Sequence, residues 1–447
     1  MDSCIGYSPG IKRRTLLQAF GAAGVAAGLA GCGGSSSKKV TFWLTPNASD
    51  QDMAAYVKRM STGFEKKNKG VTVSSLIIPW ENALTKYTAA YSGGAPPDVT
   101  YQIIPWMNKW RSTGVLADFH KHLSAADLDP ILNGAAKGYI DAAQGPKGEL
   151  LAVPFTQGYF VLVLNEDIWE KAGKPALPKT YEEMVPFAQA LTMDKQGRKL
   201  GDSGFDAKNV DHYGMTWPLV PTIQDNYVWQ YFWSYGSDYI SADHKDIGFD
   251  NDAGRAALKA MKAMSDSGAA TPPGLYTDTN KWSDTIYAGK AAMQWTDQFT
   301  PDQAKQYPKV RFRVLDLPSG PSGRSVVAGC GYWAVSAKSG NIDRAFELAK
   351  FLLSPTQADD YIRMILGRPV RTVSGDFYSK PLADPRINML LNDSTSYGKF
   401  ARPTLVLPYQ PQEYLLGKIN DYLSGRQDLD AMIKEASSHI QQMARTS

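Results

Sequence analysis

From residue 40 onward, apolar positions fall alternately into short strand-like runs and helix-spaced stretches. Val40-Thr41-Phe42-Trp43-Leu44 is a β-branched and aromatic run of the kind that forms an interior strand. Ser49 or Asp50 is placed to cap a following helix, in which Met53, Tyr56, Val57, Met60 and Phe64 recur at helical spacing. Val71 through Ile78 predicts the next strand, and a helix starting near Trp80 stops at Gly93-Gly94. Pro96-Pro97 leads into a short strand, Asp98-Val99-Thr100-Tyr101. Strand, helix, strand, helix, strand predicts a parallel α/β sheet with right-handed crossovers.

The middle of the chain continues with more helix and more aromatic residues. Val153-Pro154 precedes a strand-like run from Tyr159 to Leu164, and helices are predicted at 166–172, 181–192, 250–267 and 342–353. Internal linkers are short, which predicts two lobes joined by several crossing strands rather than one hinge.

The first 39 residues follow a different pattern. Lys12-Arg13-Arg14 opens an apolar, Ala- and Gly-rich stretch from Leu16 to Leu29, which ends in Leu29-Ala30-Gly31-Cys32. A basic start, a short apolar middle and small residues before a cut form an export signal. The apolar part is too short for a stable membrane-spanning helix. The paired arginines resemble a twin-arginine (Tat) signal, although Sec leaders also carry Arg-Arg. Leu-Ala-Gly-Cys resembles the lipobox of bacterial lipoproteins. The expectation is therefore a signal peptide over 1–31, lipidation of Cys32, and a flexible tether over 32–39 holding the body to the cytoplasmic membrane from outside the cytoplasm.

Composition narrows the function. Of 447 residues, 43% are hydrophobic and 21% charged, which fits a globular body. The formal charge of +4 drops to about +2 once Lys12, Arg13, Arg14 and Asp2 leave with the leader. With no basic block beyond the leader, a nucleic-acid partner is not expected. Cys4, Cys32 and Cys330 are too few for a disulfide framework. The 11 tryptophans and 23 tyrosines exceed what a core alone needs, leaving rings for a cleft.

Several short motifs then occur in a recognisable order. Gly93-Gly94-Ala95-Pro96-Pro97-Asp98-Val99, Leu151-Ala152-Val153-Pro154, Leu162 through Asp167 with Ala172-Gly173, and Pro178 through Glu183 come first. Ala288-Gly289-Lys290-Ala291-Ala292-Met293, Ala345 through Phe351 and Gly367-Arg368-Pro369-Val370-Arg371 follow. The ordered set resembles family 1 extracellular solute-binding proteins, the maltose-binding-protein-like receptors of ABC importers. The resemblance implies an α/β, two-lobed periplasmic-binding-protein fold of type II with a hinged ligand cleft. It places one lobe at 40–157 plus 330–372 and the other at 158–329 plus 373–447, with crossings near Gln157 and Gly329–Trp333. Leu164, Glu166 and Gln157 depart from the family's usual Tyr, Lys and cleft acid. Gln157, together with Gln102 through Trp106 where the family often carries charged sugar contacts, removes charge from the contact points, which fits a neutral ligand.

A sugar presents hydroxyls on its rim and an apolar C–H face, so its receptor needs aromatic walls and amides, carboxylates or Arg. The expected contacts are Asn47 after the first strand, Trp80 and Glu81 after the second, and Gln102 and Trp106 after the third. Gln157 and Tyr159 stand at the first crossing. Trp217, Asn226, Tyr227, Trp229 and Trp233 form the densest aromatic stretch. Trp229 and Trp233 share a helix face, where such a stripe is more often core. Trp295, Asp297, Gly331, Tyr332, Trp333 and Arg368 complete the set. Gln157→Ala and Trp333→Ala are expected to weaken binding and spare the fold.

No catalytic residue, cofactor or metal is expected. His120 and His122 form a pair without a third ligand nearby, and no G-x-S-x-G or phosphate loop is present. The reading is a monomeric, lipid-anchored receptor that captures a neutral mono- or oligosaccharide and hands it to membrane permease subunits. A receptor for a polyol, amino sugar or glycerol phosphate is the alternative. A secreted glycoside hydrolase, with Glu81 and Asp297 as its acids, is the third reading.

Overall fold

A computed structural model describes residues 39–217, 224–272, 275, 279–297, 299–372, 377, 382, 384–403 and 411–446. The leader, Cys32 and the tether up to Lys38 lie outside the described residues. The strands are β1 Lys39–Leu44, β2 Thr72–Ile77, β3 Val99–Ile103, β4 Val153–Tyr159, β5 Val161–Asn165, β6 Met193–Asp194, β7 Val210–Met215, β8 Ala291–Thr296, β9 Phe312–Val314, β10 Val326–Val335, β11 Arg368–Pro369 and β12 Ala401–Pro403.

The N-terminal alternation folds as its pattern predicts. Val40, Phe42 and Leu44 of β1 turn inward and are fully buried. Ser49 caps the helix Asp50–Lys67 by accepting a bond from the Asp52 backbone N–H, and that helix buries Met53, Tyr56, Met60 and Phe64. Asp50 and Asp52 lie in its first turn and Lys66 and Lys67 in its last, each sign matched to the helix dipole. β1 pairs in parallel with β2 on one side and β3 on the other. Asp98, just before β3, holds this arrangement together. Its carboxylate accepts from the Thr41 backbone N–H at 2.7 Å, the Thr41 hydroxyl at 2.8 Å and the Ser339 hydroxyl at 2.5 Å.

The first sheet then takes in strands from far along the chain, in the order β11-β4-β10-β3-β1-β2, with β12 pairing β10. β10 runs antiparallel to both β3 and β4. The second sheet has the order β6-β7-β8-β5-β9. The single run expected over Tyr159–Leu164 is two strands. β4 ends the first sheet at Tyr159, Phe160 stands between, and β5 opens in the second sheet at Val161. Pro154 is accommodated where the β4–β10 register shifts between Gly331 and Tyr332, since a bulge spares the amide that proline lacks.

Strand pairing puts Gly158, Tyr159 and residues 326–329 with the first sheet, whereas the sequence lines at 157/158 and 329/330 put them in the second lobe. Gly329–Trp333 lie within the unbroken strand β10. The chain passes between the sheets at Phe160 and across 315–325. The helix Pro385–Thr395 is tied to the second-sheet side through Arg386, which donates to the carbonyls of Tyr307 at 2.8 Å and Val310 at 3.0 Å. β12 then returns to the first sheet. The helix Gln224–Tyr235 supplies much of the second core: Trp229 packs on Tyr239 with centroids 4.6 Å apart, and Phe232 stacks on Phe249 at 4.9 Å. Among the described residues, no helix is long and apolar enough to cross a membrane.

Candidate ligand-binding site

Three adjacent strands of the first sheet become accessible at one level. β3 is buried except at its last residue, Ile103. β10 is buried along its length except at Gly329. β4 opens only at Gln157 and Gly158. Gly331 stands opposite both Ile103 and Thr156, and Gly329 opposite Gly158, so these openings adjoin. Of these four accessible positions Gly158 and Gly329 are glycines, and the buried Gly331 lies beside them, giving a floor with few side chains.

The missing side chains give this floor its shape. A Cβ on Gly331 would lie 2.8 Å from the Thr156 methyl and 2.8 Å from the Tyr101 hydroxyl. A Cβ on Gly367 would lie 2.4 Å from the Thr156 hydroxyl. Polar groups ring the same place. The Asn47 amide donates to the Tyr361 hydroxyl at 2.7 Å and lies against the Tyr101 hydroxyl. The Thr156 hydroxyl is buried without a hydrogen-bond partner. Above the floor, Asp297 leaves the end of β8 in the second sheet, and a Cβ on Gly158 would come 3.8 Å from its carboxylate. Burial pushes the Asp297 carboxyl up to about 6, against the opposing effects of its own backbone N–H and of Arg368.

The floor's tight fit makes a checkable prediction. Gly331→Ala forces Thr156 or Tyr101 to shift, an overpacking cost of about 1–3 kcal/mol. Gly340→Ala, with open space around its Cβ, is expected to leave the melting temperature unchanged. Thermal unfolding of the two variants beside the parent checks the difference.

The predicted site residues separate into groups. Asn47, Gln157, Asp297 and Gly331 lie at the floor or its rim. Trp80 is partly exposed at the start of the helix Trp80–Ser92, its indole N–H donating to the Pro46 carbonyl at 2.9 Å. It packs on Trp106 with centroids 5.3 Å apart and edge-on to Tyr101 at 6.1 Å. Trp106 itself is buried. Glu81 is the next residue of the same helix, and its side chain lies outside what is described.

Arg368 lies opposite Gln157, donates to the Leu391 carbonyl and the Ser394 hydroxyl, and rests over the Tyr159 ring at 5.3 Å. It thereby links the first sheet to the helix Pro385–Thr395. The buried Gln102 amide donates to the Thr100 hydroxyl at 3.0 Å. The Tyr332 hydroxyl donates to the Tyr139 carbonyl at 3.1 Å, and Trp333 stacks face to face on Phe155 at 4.6 Å. Both rings are interior. Trp217, Trp229, Trp233 and Trp295 are also buried, in the second-sheet half. Asn226 and Tyr227 stand in the helix Gln224–Tyr235, with side chains outside what is described.

Sequence reasoning missed Tyr101, Thr156, Gly158, Tyr361 and Gly367. The available signal was the spacing of glycines at 158, 329, 331 and 367, legible only once β4 and β10 are paired. Of the two histidines, His122 stacks on Phe346 with centroids 4.1 Å apart. The described residues hold no group of three potential metal-ligating side chains.

Two α/β sheets with a glycine floor on one and an acid from the other facing it describe a two-lobed binding protein. A solved ABC substrate-binding protein from Listeria monocytogenes, in complex with cycloalternan, has the same fold: TM-score 0.76 at 19% identity, covering 91% of this chain and 98% of that one. The chain belongs to the bacterial extracellular solute-binding protein family, whose model matches residues 59–387. A putative binding protein of Brucella abortus (strain 2308) is 26% identical over 274 residues, 60% of this chain. The chain spans 61% of the length of that relative. The diacetylchitobiose binding protein of Streptomyces coelicolor is 31% identical over 186 residues, 38% of this chain and 41% of the relative.

Proposed function

We propose that the protein is the extracytoplasmic receptor of an ABC importer and captures a neutral mono- or oligosaccharide between its two lobes. The observation that carries this reading is the coincidence of three strand openings at one level with a carboxylate from the opposite sheet facing them. Glycines admit the ligand close to backbone, while Asn47, Tyr101, Thr156, Tyr361 and Asp297 offer hydrogen-bonding groups of the kind a sugar rim needs. Two relatives support the ligand class, one named for diacetylchitobiose and one solved with cycloalternan. The first lobe is read as 39–159 with 326–372 and β12, and the second as 161–325 with the helix Pro385–Thr395 and the C-terminal helices. A ligand touching both lobes favours the closed form. The leader supports lipidation at Cys32, which would keep a monomeric receptor beside its permease.

The other readings draw less support. A glycerol phosphate calls for cations facing the ligand. Here Arg368 spends donors on Leu391 and Ser394, and the facing group is an acid. A glycoside hydrolase needs a pair of carboxylates, about 5–10 Å apart. Among the side chains described at this site Asp297 is one such acid, while the Glu81 side chain lies outside the described residues.

The test is thermal unfolding of the full-length protein with maltotriose, diacetylchitobiose, glucose or glycerol 3-phosphate. A sugar present at 100 times its Kd adds about 2.7 kcal/mol to stability, a rise of several degrees. A shift with glycerol 3-phosphate and none with any sugar would overturn the saccharide assignment.

A further inference from the structure

Asp297 stands out among the ionisable groups near the floor. β8 is buried at every residue, and Asp297 is the first partly exposed position beyond it, so a rigid strand delivers this carboxylate to a fixed point. The point lies over Gly158, which pairs with Gly329, where the first sheet has no side chain to meet it. No described residue donates a side-chain hydrogen bond to its carboxylate oxygens. The charged and titratable groups facing it are Arg368 from β11, with Tyr159 stacked beneath that guanidinium, and Tyr287 on the second-sheet side. Arg368 is bound to Leu391 and Ser394.

We infer that Asp297 is the specificity-determining residue of this site, accepting two neighbouring hydroxyls of a neutral sugar and repelling sugars that carry a phosphate or carboxylate. This rests on the saccharide reading above. A recessed carboxylate short of donors is held in a costly state, and ligand hydroxyls supply the donors it lacks. An anionic ligand would bring like charge to the same low-dielectric spot, where the nearby Arg368 guanidinium is engaged by Leu391 and Ser394. Because the hydroxyls bond the ionised form, binding strengthens as pH rises through about 6 and weakens below it.

The experiment is calorimetric titration of the full-length protein with maltotriose and diacetylchitobiose at pH 5 and pH 7.5, with glucose 6-phosphate and galacturonate as anionic probes. In the parent, at least one neutral sugar binds, more tightly at pH 7.5, and the anionic probes do not. Asp297→Asn is expected to lose about tenfold or more in affinity for the neutral sugar, to lose the pH dependence, and to bind an anionic probe more tightly than the parent does. Its melting temperature stays at or above the parent's, because an ionised carboxylate disfavoured by its recessed position has gone. Gly158→Ala is the second variant. Its methyl meets Asp297 at ordinary contact distance and is expected to weaken the same sugar severalfold while the fold is kept. Parent-like affinity and pH profile in Asp297→Asn would overturn the inference and leave the receptor reading standing. A parent that binds neither neutral sugar would remove both.

Discussion

Trp333→Ala is expected to lower stability by about 3–5 kcal/mol, the range for truncating a large buried aromatic. The ring is 1% exposed and sits at the centre of an aromatic cluster. It lies parallel to Phe155 at 4.6 Å and tilted against Phe42 at 5.3 Å, Tyr361 at 5.5 Å and Tyr101 at 5.7 Å. No single neighbour can fill the space, because these rings come from β1, β3, β4 and the helix Pro355–Met364, each fixed by its own backbone pairing. The damage also reaches the floor, since Tyr361 holds Asn47 and Tyr101 limits the space at Gly331. Thermal unfolding followed by circular dichroism should show the midpoint down by roughly 5 °C, at about 1–1.5 °C per kcal/mol for a body of this size. A midpoint within a degree or two of the parent's would contradict this placement. The sequence suggested that the variant would spare the fold. Its burial in β10 implies the reverse.

Asp98→Ala is the second large effect, at about 2–4 kcal/mol, because it strips acceptors from three donors at once. The Thr41 N–H is left facing an apolar methyl, and the Thr41 and Ser339 hydroxyls lose their shared partner. These bonds connect β1, the entry to β3 and the turn after β10, so their loss loosens the first sheet at its centre. Asp98→Asn separates charge from geometry. Its amide oxygen can still accept from Thr41 and its amino group can donate to the Ser339 hydroxyl, so less than half the loss is expected. Denaturant unfolding of the two variants measures the difference, and equal losses would mean that charge dominates.

The parts legible in the sequence were those set by local spacing. The helix Asp50–Lys67 shows its buried face at Met53, Tyr56, Met60 and Phe64, and its cap at Ser49, within 18 residues. The strands on either side carry their own β-branched signal. What could not be read was anything set by pairing between distant strands. Gly329-Cys330-Gly331 looks like a turn because glycine favours turns, yet it is mid-strand, with glycines placed to let Phe160 and Tyr101 approach. Tyr332 and Trp333 look like ligand rings because both are aromatic and near glycine. On a strand they point to opposite faces, and here both faces are covered. Asp297 could be singled out from the sequence because it ends the strand after Met293, where the resemblance places a cleft loop. Its opposite number, Gly158, offers no chemistry to a sequence reader, because its contribution is the absence of atoms.

The insertion of β10 between β3 and β4 also sets the order in which the molecule can be completed. β3 and β4 do not pair with each other; the strand that joins them follows β3 by more than two hundred residues. During synthesis, the first lobe's β1–β3 unit and β4 are made early and then stay unjoined while every strand of the second sheet is produced. Loop closure over such a distance is slow and entropically costly, so the joining step comes late. The first sheet is therefore the earlier to be translated and the later to be finished, and a chain stopped before Val326 lacks the strand that joins its two parts.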